Sequence, residues 1–202
     1  MGRRSEHTLE QLKEMALDAA EGILRDQGLA GLNTRAIAKA MGYTSGTLYL
    51  IFTNFDDLVL QLNRRTIIGM ARAVEQALVP GQSPEDNIRS ICRAYLAFGR
   101  EHRPHWDLLF QRLWPQDFVY PAWYVAEMGK SLGPFENEIS RLLGAKGTQA
   151  QVALAGRAIW CSVQGIHTLF ASGRMERLGV ASMDKLIDFQ VDLLIQGLKQ
   201  LS

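Results

Sequence analysis

Apolar residues recur at Leu9, Leu12, Ala16, Ala19, Ala20 and Ile23, which is helical spacing, and Thr8 with Gln11 three residues on reads as a capping box. The pattern predicts a first helix from Leu9 toward Gln27, with Gly28 as its left-handed cap. Asn33 is a good N-cap for a short helix over Arg35 to Met41, Gly42 closes it, and Thr44 caps a third helix from Ser45 to Ile51. Thr53 or Asn54 then caps a long fourth helix through Leu58, Leu62, Ile67, Met70 and Val74.

Turn residues punctuate the remainder. Ser83 followed by Pro84 is an N-cap with proline at the first helical position, opening a fifth helix that ends near His102. Pro104, Pro115 and Pro121 divide the next stretch into a short helix from His105 to Leu113, a loop, and a helix from about Ala122, with a break or kink at Gly133-Pro134. A long helix runs to Ser172 and a last one from Met183 to about Gln200. No stretch alternates as a strand does. The expected fold is all-α with about nine helices: a three-helix N-terminal head over residues 1–54 and a helical body over residues 55–202.

The last two helices carry more apolar surface than one neighbour can cover. Gln149 to Ser172 has Arg157 as its only full charge. The final helix sets Met183, Leu186, Ile187, Gln190, Val191, Leu194 and Leu198 on one face and Phe189 with Leu193 on another. Either both helices are central in a monomeric core, or a second protomer supplies the cover.

Composition changes this picture little. Hydrophobic residues at 47% and charged residues at 21% are those of a soluble globular chain, which argues against disorder, collagen-like sequence and solenoids. The net charge of +1 is no advertisement for nucleic-acid binding. Locally, however, Gln27 to Asn54 holds no acid and only Arg35 and Lys39 as charges, whereas six acids from Glu6 to Asp26 precede it. The two cysteines, Cys92 and Cys161, lie in apolar helical contexts without metal-knuckle or disulfide spacing, so a reducing, cytoplasmic compartment is expected. No HExxH, Cys-x-x-Cys, GxSxG or phosphate-cradling glycine loop occurs, and His102-Arg-Pro-His105 crosses a helix end. No catalytic residue, metal, cofactor or membrane span is expected.

Residues 33–49 carry the sharpest signal: two short helices joined by a glycine-centred turn. Ile37, Ala38, Met41, Leu48 and Phe52 supply the scaffold. Thr44, Ser45, Gly46, Thr47 and Tyr49 fall at the start and outer face of the second helix, where a recognition helix meets base edges and phosphates. Read bare, the simpler account is that Thr44 is an N-cap and Tyr49 an amphipathic filler.

The run from Leu32 to Leu58, with Ile37-Ala38, Gly42, Gly46-Thr47-Leu48-Tyr49, Phe52 and Leu58, resembles the signature of the tetracycline-repressor (TetR) family of transcription regulators. The resemblance implies that Asn33 and Thr34 touch phosphate, that Ser45, Gly46 and Thr47 approach bases, and that Tyr49 bonds a phosphate. With Arg35, Thr44 and Asn54 these form the expected contact set for double-stranded operator DNA, and Arg3 and Arg4 add an N-terminal arm. Three positions depart from the pattern: Tyr43 replaces a small aliphatic, Ser45 a longer polar residue, and Phe55 a lysine that would meet phosphate.

Beyond residue 80 the resemblance extends to TetR bodies with a Trp-His-Gly signature. Trp160 and Gly165 match it, Gln164 stands in the histidine's place, and His167 lies two residues past the glycine. Tyr95, Phe98, His102, Trp106, Phe110, Trp123, Met128, Trp160, Gln164 and His167 are the expected lining of a pocket for a small hydrophobic or aromatic effector. Ordinary aromatic core is the alternative for any one of them. The resemblance further implies a homodimer through the last two helices, binding a palindromic operator and released by the effector. An enzyme or an oligomerisation scaffold using the same aromatic body without DNA is the competing account.

Overall fold

The computed structural model describes residues 7–180 and 182–200; the arginine arm at Arg3 and Arg4 lies outside them. Among the described residues there are eleven α-helices, one 3-10 turn and no strand: α1 (Leu9–Gly31), α2 (Thr34–Met41), α3 (Ser45–Ile51), α4 (Phe55–Gln76), α5 (Pro84–Glu101), α6 (Arg103–Gln111), α7 (Ala122–Ser131), α8 (Gly133–Leu143), α9 (Gln149–Ala171), α10 (Arg174–Arg177) and α11 (Met183–Lys199).

The count exceeds the expected nine for two reasons. The Gly133-Pro134 break separates two full helices, α7 and α8, and a single turn, α10, follows α9. Caps written into the sequence form as local hydrogen bonds. The Thr8 hydroxyl accepts from the Gln11 N–H and the Gln11 side chain accepts from the Thr8 N–H, closing the capping box. Ser83 Oγ accepts the Asp86 N–H at 3.1 Å, and Thr148 and Gln151 form a second capping box at the start of α9. Gly28 is not the left-handed cap its position suggests. Its φ of 65° comes with ψ of −164°, so the chain kinks there and continues helically to Gly31.

Two compact units divide the chain, and each is discontinuous in sequence: one runs up to Ile68 and adds His102–Tyr124, the other joins Gly69–Glu101 to the segment from Val125 on. The division therefore falls within α4 and α7, whereas the sequence places its boundary after residue 54.

In the first unit α1 is the central post. Leu12, Ala16, Leu17, Ala20, Ile23 and Leu24 on one face meet Ile37, Ala38 and Met41 of α2, Leu48 of α3, Phe52, and Leu58, Val59 and Leu62 of α4. Leu108 of α6 completes this core from far along the chain. On the exposed side, Arg65 of α4 bonds Glu14, Asp18 and Glu21, which lie at helical spacing on α1. Burial disfavours the charged guanidinium, but the bonds it donates to Asp18 and Glu21 and the charges of Glu21 and Glu14 outweigh it, so its proton is held more tightly than usual.

In the second unit α5 packs on α8, α9 and α11, and α8 and α11 both pack on α9. Ile88, Ile91, Cys92, Leu96, Phe135, Ile139, Ile159, Val163, Ile187 and Val191 fill its interior. Four ion pairs run along α5 and α11: Glu85 with Lys199, Arg89 with Asp192, Arg93 with Asp188 and Arg100 with Asp184. Their numbers rise on one helix as they fall on the other, which is the register of antiparallel neighbours.

Candidate nucleic-acid interface

Asn33 Oδ1 accepts the Ala36 N–H at 2.9 Å, and Asn33 Nδ2 donates to the Gly31 carbonyl at 3.1 Å, so this side chain fixes the entry to α2. At the other end Gly42 adopts φ 76° and ψ 21°, and the Tyr43 N–H reaches back to the Ala38 carbonyl at 2.9 Å. This left-handed turn, which a Cβ would disfavour, aims α3 away from α2. Tyr43 then does something its replacement of a small residue did not suggest. Its hydroxyl lies 2.7 Å from His7 Nδ1, tying the turn to the residue before the first helix's cap.

Helix α3 has one inward face and one bare face. Leu48 and the following Phe52 are buried in the core around α1. Tyr49 and Leu50 are 59% and 73% exposed, Thr44 and Gly46 are exposed, and Ser45 and Thr47 are half-buried. Thr44 occupies the N-cap position without a side-chain cap bond. Arg35 is exposed and Thr34 half-buried on α2. Asn54 is exposed, and its Oδ1 accepts the Asp57 N–H at 2.9 Å while Asp57 accepts the Thr53 N–H at 3.0 Å. The expected contact residues run from the N-cap of α2 to the residue before α4, and Asn33 and Asn54 have a capping duty there.

Phe55 is partly buried against the head core. Beside it stands a cation that sequence reasoning passed over: the Arg112 guanidinium lies 5.7 Å from the Phe55 ring and 4.8 Å from the Trp114 ring, and pairs with Asp56. Nothing short of the tertiary fold connects residue 112 to residue 55.

The expected effector-lining residues fall in both units. In the second, the Tyr95 hydroxyl donates to Gln164 Oε1 at 2.8 Å and accepts from Trp160 Nε1 at 3.0 Å. Burial pushes the Tyr95 phenol above its ordinary range, the Trp160 bond drawing it partly back. A small cavity of about 10 Å³ adjoins this trio, lined by Met70, Ala71, Val74, Ser131, Leu132 and Phe135 with Tyr95 and Trp160. Also in this unit, His167 is buried, Phe98 half-buried and Met128 exposed.

In the first unit, Trp106 is buried with its ring 4.7 Å from Phe110, and His102 lies 6.3 Å from His105. Trp123 stands edge-on to Tyr124, with Arg64 over its face at 5.9 Å. A second residue missed from sequence is Asn63 of α4, which is buried. No group of three or more metal-ligating side chains occurs among the described residues, and no described helix is long and apolar enough to cross a membrane.

A glycine-turned pair of short helices braced by a third, with an exposed second helix, defines a helix-turn-helix protein. Residues 16–62 match the bacterial regulatory proteins of the tetR family, and residues 88–194 match the tetracyclin repressor-like C-terminal domain. The chain belongs to the TetR family. An HTH-type transcriptional regulator of Mycobacterium tuberculosis is 28% identical over 103 residues, a match that covers 50% of this chain and 44% of that protein. The chain thus spans less than half of that relative's length. Among solved structures, a protein of unknown function from Rhodococcus sp. RHA1 superposes with a TM-score of 0.76 at 20% identity, covering 98% of this chain and 100% of the other. A TetR-like transcriptional regulator from the same organism gives 0.61 at 22% identity, covering 98% of each. At these identities the likeness establishes the fold.

Proposed function

We propose that this chain is a transcription regulator that binds a palindromic operator as a homodimer and is released by a small hydrophobic or aromatic effector. The observation that carries the reading is the bare outer face of α3, where Thr44, Gly46 and Tyr49 stand exposed on a helix whose other side is locked into the head core. Small hydroxyls and a backbone free of side chain at Gly46 suit close approach to base edges, and Tyr49 suits a phosphate.

A second copy is the natural cover for α9 and α11. Their outer faces leave Leu154 70% and Phe189 61% exposed, with Leu193 and Leu169 also in solvent. Two recognition helices then have to sit about 34–36 Å apart to enter successive major grooves, and an effector favouring another separation weakens DNA binding by linkage. The enzyme and scaffold accounts leave the α3 face without a purpose.

The test is binding to a fluorescent duplex from the DNA upstream of the protein's own gene, over a salt series and against an unrelated duplex. Competitor-resistant binding that Thr47→Ala and Tyr49→Phe each weaken about tenfold or more is expected. Equal binding to the unrelated duplex, or indifference to both substitutions, counts against the reading.

A further inference from the structure

Among the described residues of the first unit, Asn63 is a side chain whose burial makes no sense as stability. It is wholly buried, and neither its amide nitrogen nor its amide oxygen has a hydrogen-bond partner of good geometry within the protein. A buried donor and acceptor left unmade each carry a desolvation penalty, and leucine, which has the same branching at Cγ, would avoid both. Groups held at such a cost mark positions kept for something other than packing.

The surroundings narrow what that is. Leu60, Asn63 and Ile67 share one stripe of α4, since they are three and four residues apart. Leu60 and Ile67 pack with Tyr124, and against them lie Leu109, Trp114, Phe118 and Trp123. Trp114 and Phe118 have ring centres 4.3 Å apart, and Tyr120 stacks on Tyr124 at 5.4 Å with nearly parallel planes. The polar neighbour of Asn63 is the Tyr124 hydroxyl: burial pushes this phenol up to about 12, and the Asn63 amide is near enough to draw it partly back without the geometry of a made hydrogen bond. The cations of this region are occupied, Arg64 over Trp123 and Arg112 against Trp114 and Asp56. A carboxamide set among aromatic faces, with a neutral phenol beside it, matches a planar uncharged group that offers a donor and an acceptor side by side.

We propose that Asn63 is the polar anchor of an effector site in the first unit, and that the effector is a planar, uncharged molecule bearing a lactam or similar amide edge, stacked among Trp114, Phe118, Trp123 and Tyr124. The proposal rests on the regulator reading for its purpose but not for its chemistry. Asn63 donates to the ligand's carbonyl and accepts its N–H, so the bound edge satisfies both atoms at once. Because only three residues separate α4 from the recognition helix, occupancy is registered on the helix that leaves the DNA-binding head.

The probe is isoquinolin-1(2H)-one, with its N-methyl derivative as the control that keeps the ring and carbonyl and loses the donor. Tryptophan quenching in the full chain is expected to show saturable binding of the lactam and at least tenfold weaker binding of the N-methyl compound. Asn63→Leu is expected to raise the thermal midpoint, and to bind the two compounds alike. The proposal is overturned if the lactam does not bind, if both compounds bind equally to the native chain, or if Asn63→Leu lowers the midpoint and leaves the preference intact. Operator binding measured on the same samples separates the two readings: lactam binding without DNA binding sinks the regulator and keeps the site, and the converse does the opposite.

Discussion

At the scale of single residues, the groups that matter most have environments that a composition table would not single out. His105 of α6 is half-buried, and burial lowers its affinity for a proton below the ordinary 6.5; Glu21 pulls the other way, while His102 and Arg25 add to the fall. Just below pH 6.5 the unfolded chain therefore binds more protons at this position than the folded one. The stability that neutral His105 contributes is complete above that pH and is lost as pH falls toward its lowered value. The thermal midpoint is expected to drop between pH 7 and pH 5, and the drop to be smaller in His105→Gln. An identical drop in the two proteins would remove His105 from the account. The cysteines are similarly divided by surroundings: burial raises the Cys92 thiol to about 12, and Cys161 is exposed on α9.

At the scale of elements, what could be read from sequence was what depends on near neighbours. Thr8 with Gln11, Asn33, Asn54 and Ser83 cap their helices because a cap needs only the next three residues. Gly42 was legible as a turn for the same reason. Gly28 was half legible: glycine announced a positive φ, but ψ, set by how Leu29–Gly31 resumes the helix, was not in the pattern. The single turn α10 shows no periodicity because four residues are too few to have one. Of the candidate site, the α3 face followed from local spacing, whereas Asn63 and Arg112 did not, because an orphaned amide and a cation beside Phe55 are products of long-range packing.

The α5–α11 ion pairs belong to the same class. Arg89, held between Asp86 and Asp192, is the best connected of them, and its guanidinium binds its proton more tightly than usual, chiefly through the Asp192 bond. As partly exposed members of a network, such pairs are worth about 0.2–1 kcal/mol each. Arg89→Met is expected to lower the thermal midpoint in low salt, with the gap from the native chain narrowing toward 1 M NaCl. A gap that salt leaves unchanged would mean that the arginine stem packs and its charge does nothing.

For the whole molecule, the proposed dimer rests on the apolar surface of α9 and α11. Phe189 and Leu193 lie on α11, and Leu154 and Leu169 on α9, all exposed in the single chain. Isologous association buries the same face of both copies, so one substitution acts twice. Phe189→Glu is expected to shift sedimentation from dimer to monomer and to weaken operator binding, while far-ultraviolet circular dichroism stays that of a folded helical chain. A native chain that sediments as a monomer at micromolar concentration would remove the dimer from the proposal.

Leu108 has a consequence of another kind. It lies on α6, yet it is buried in the core built by α1, α2, α3 and the start of α4, so the helix-turn-helix is finished by a residue encoded more than fifty positions after α3 ends. The head is therefore not a cassette. A chimera joined after residue 54, in which this head is transplanted onto another regulator's body, would carry an open socket where Leu108 belongs, and core truncations of that size cost about 2–5 kcal/mol. Transplanting this head with its core intact requires moving His102–Tyr124 along with it, so the portable piece of this chain is a unit discontinuous in sequence and not its N-terminal end.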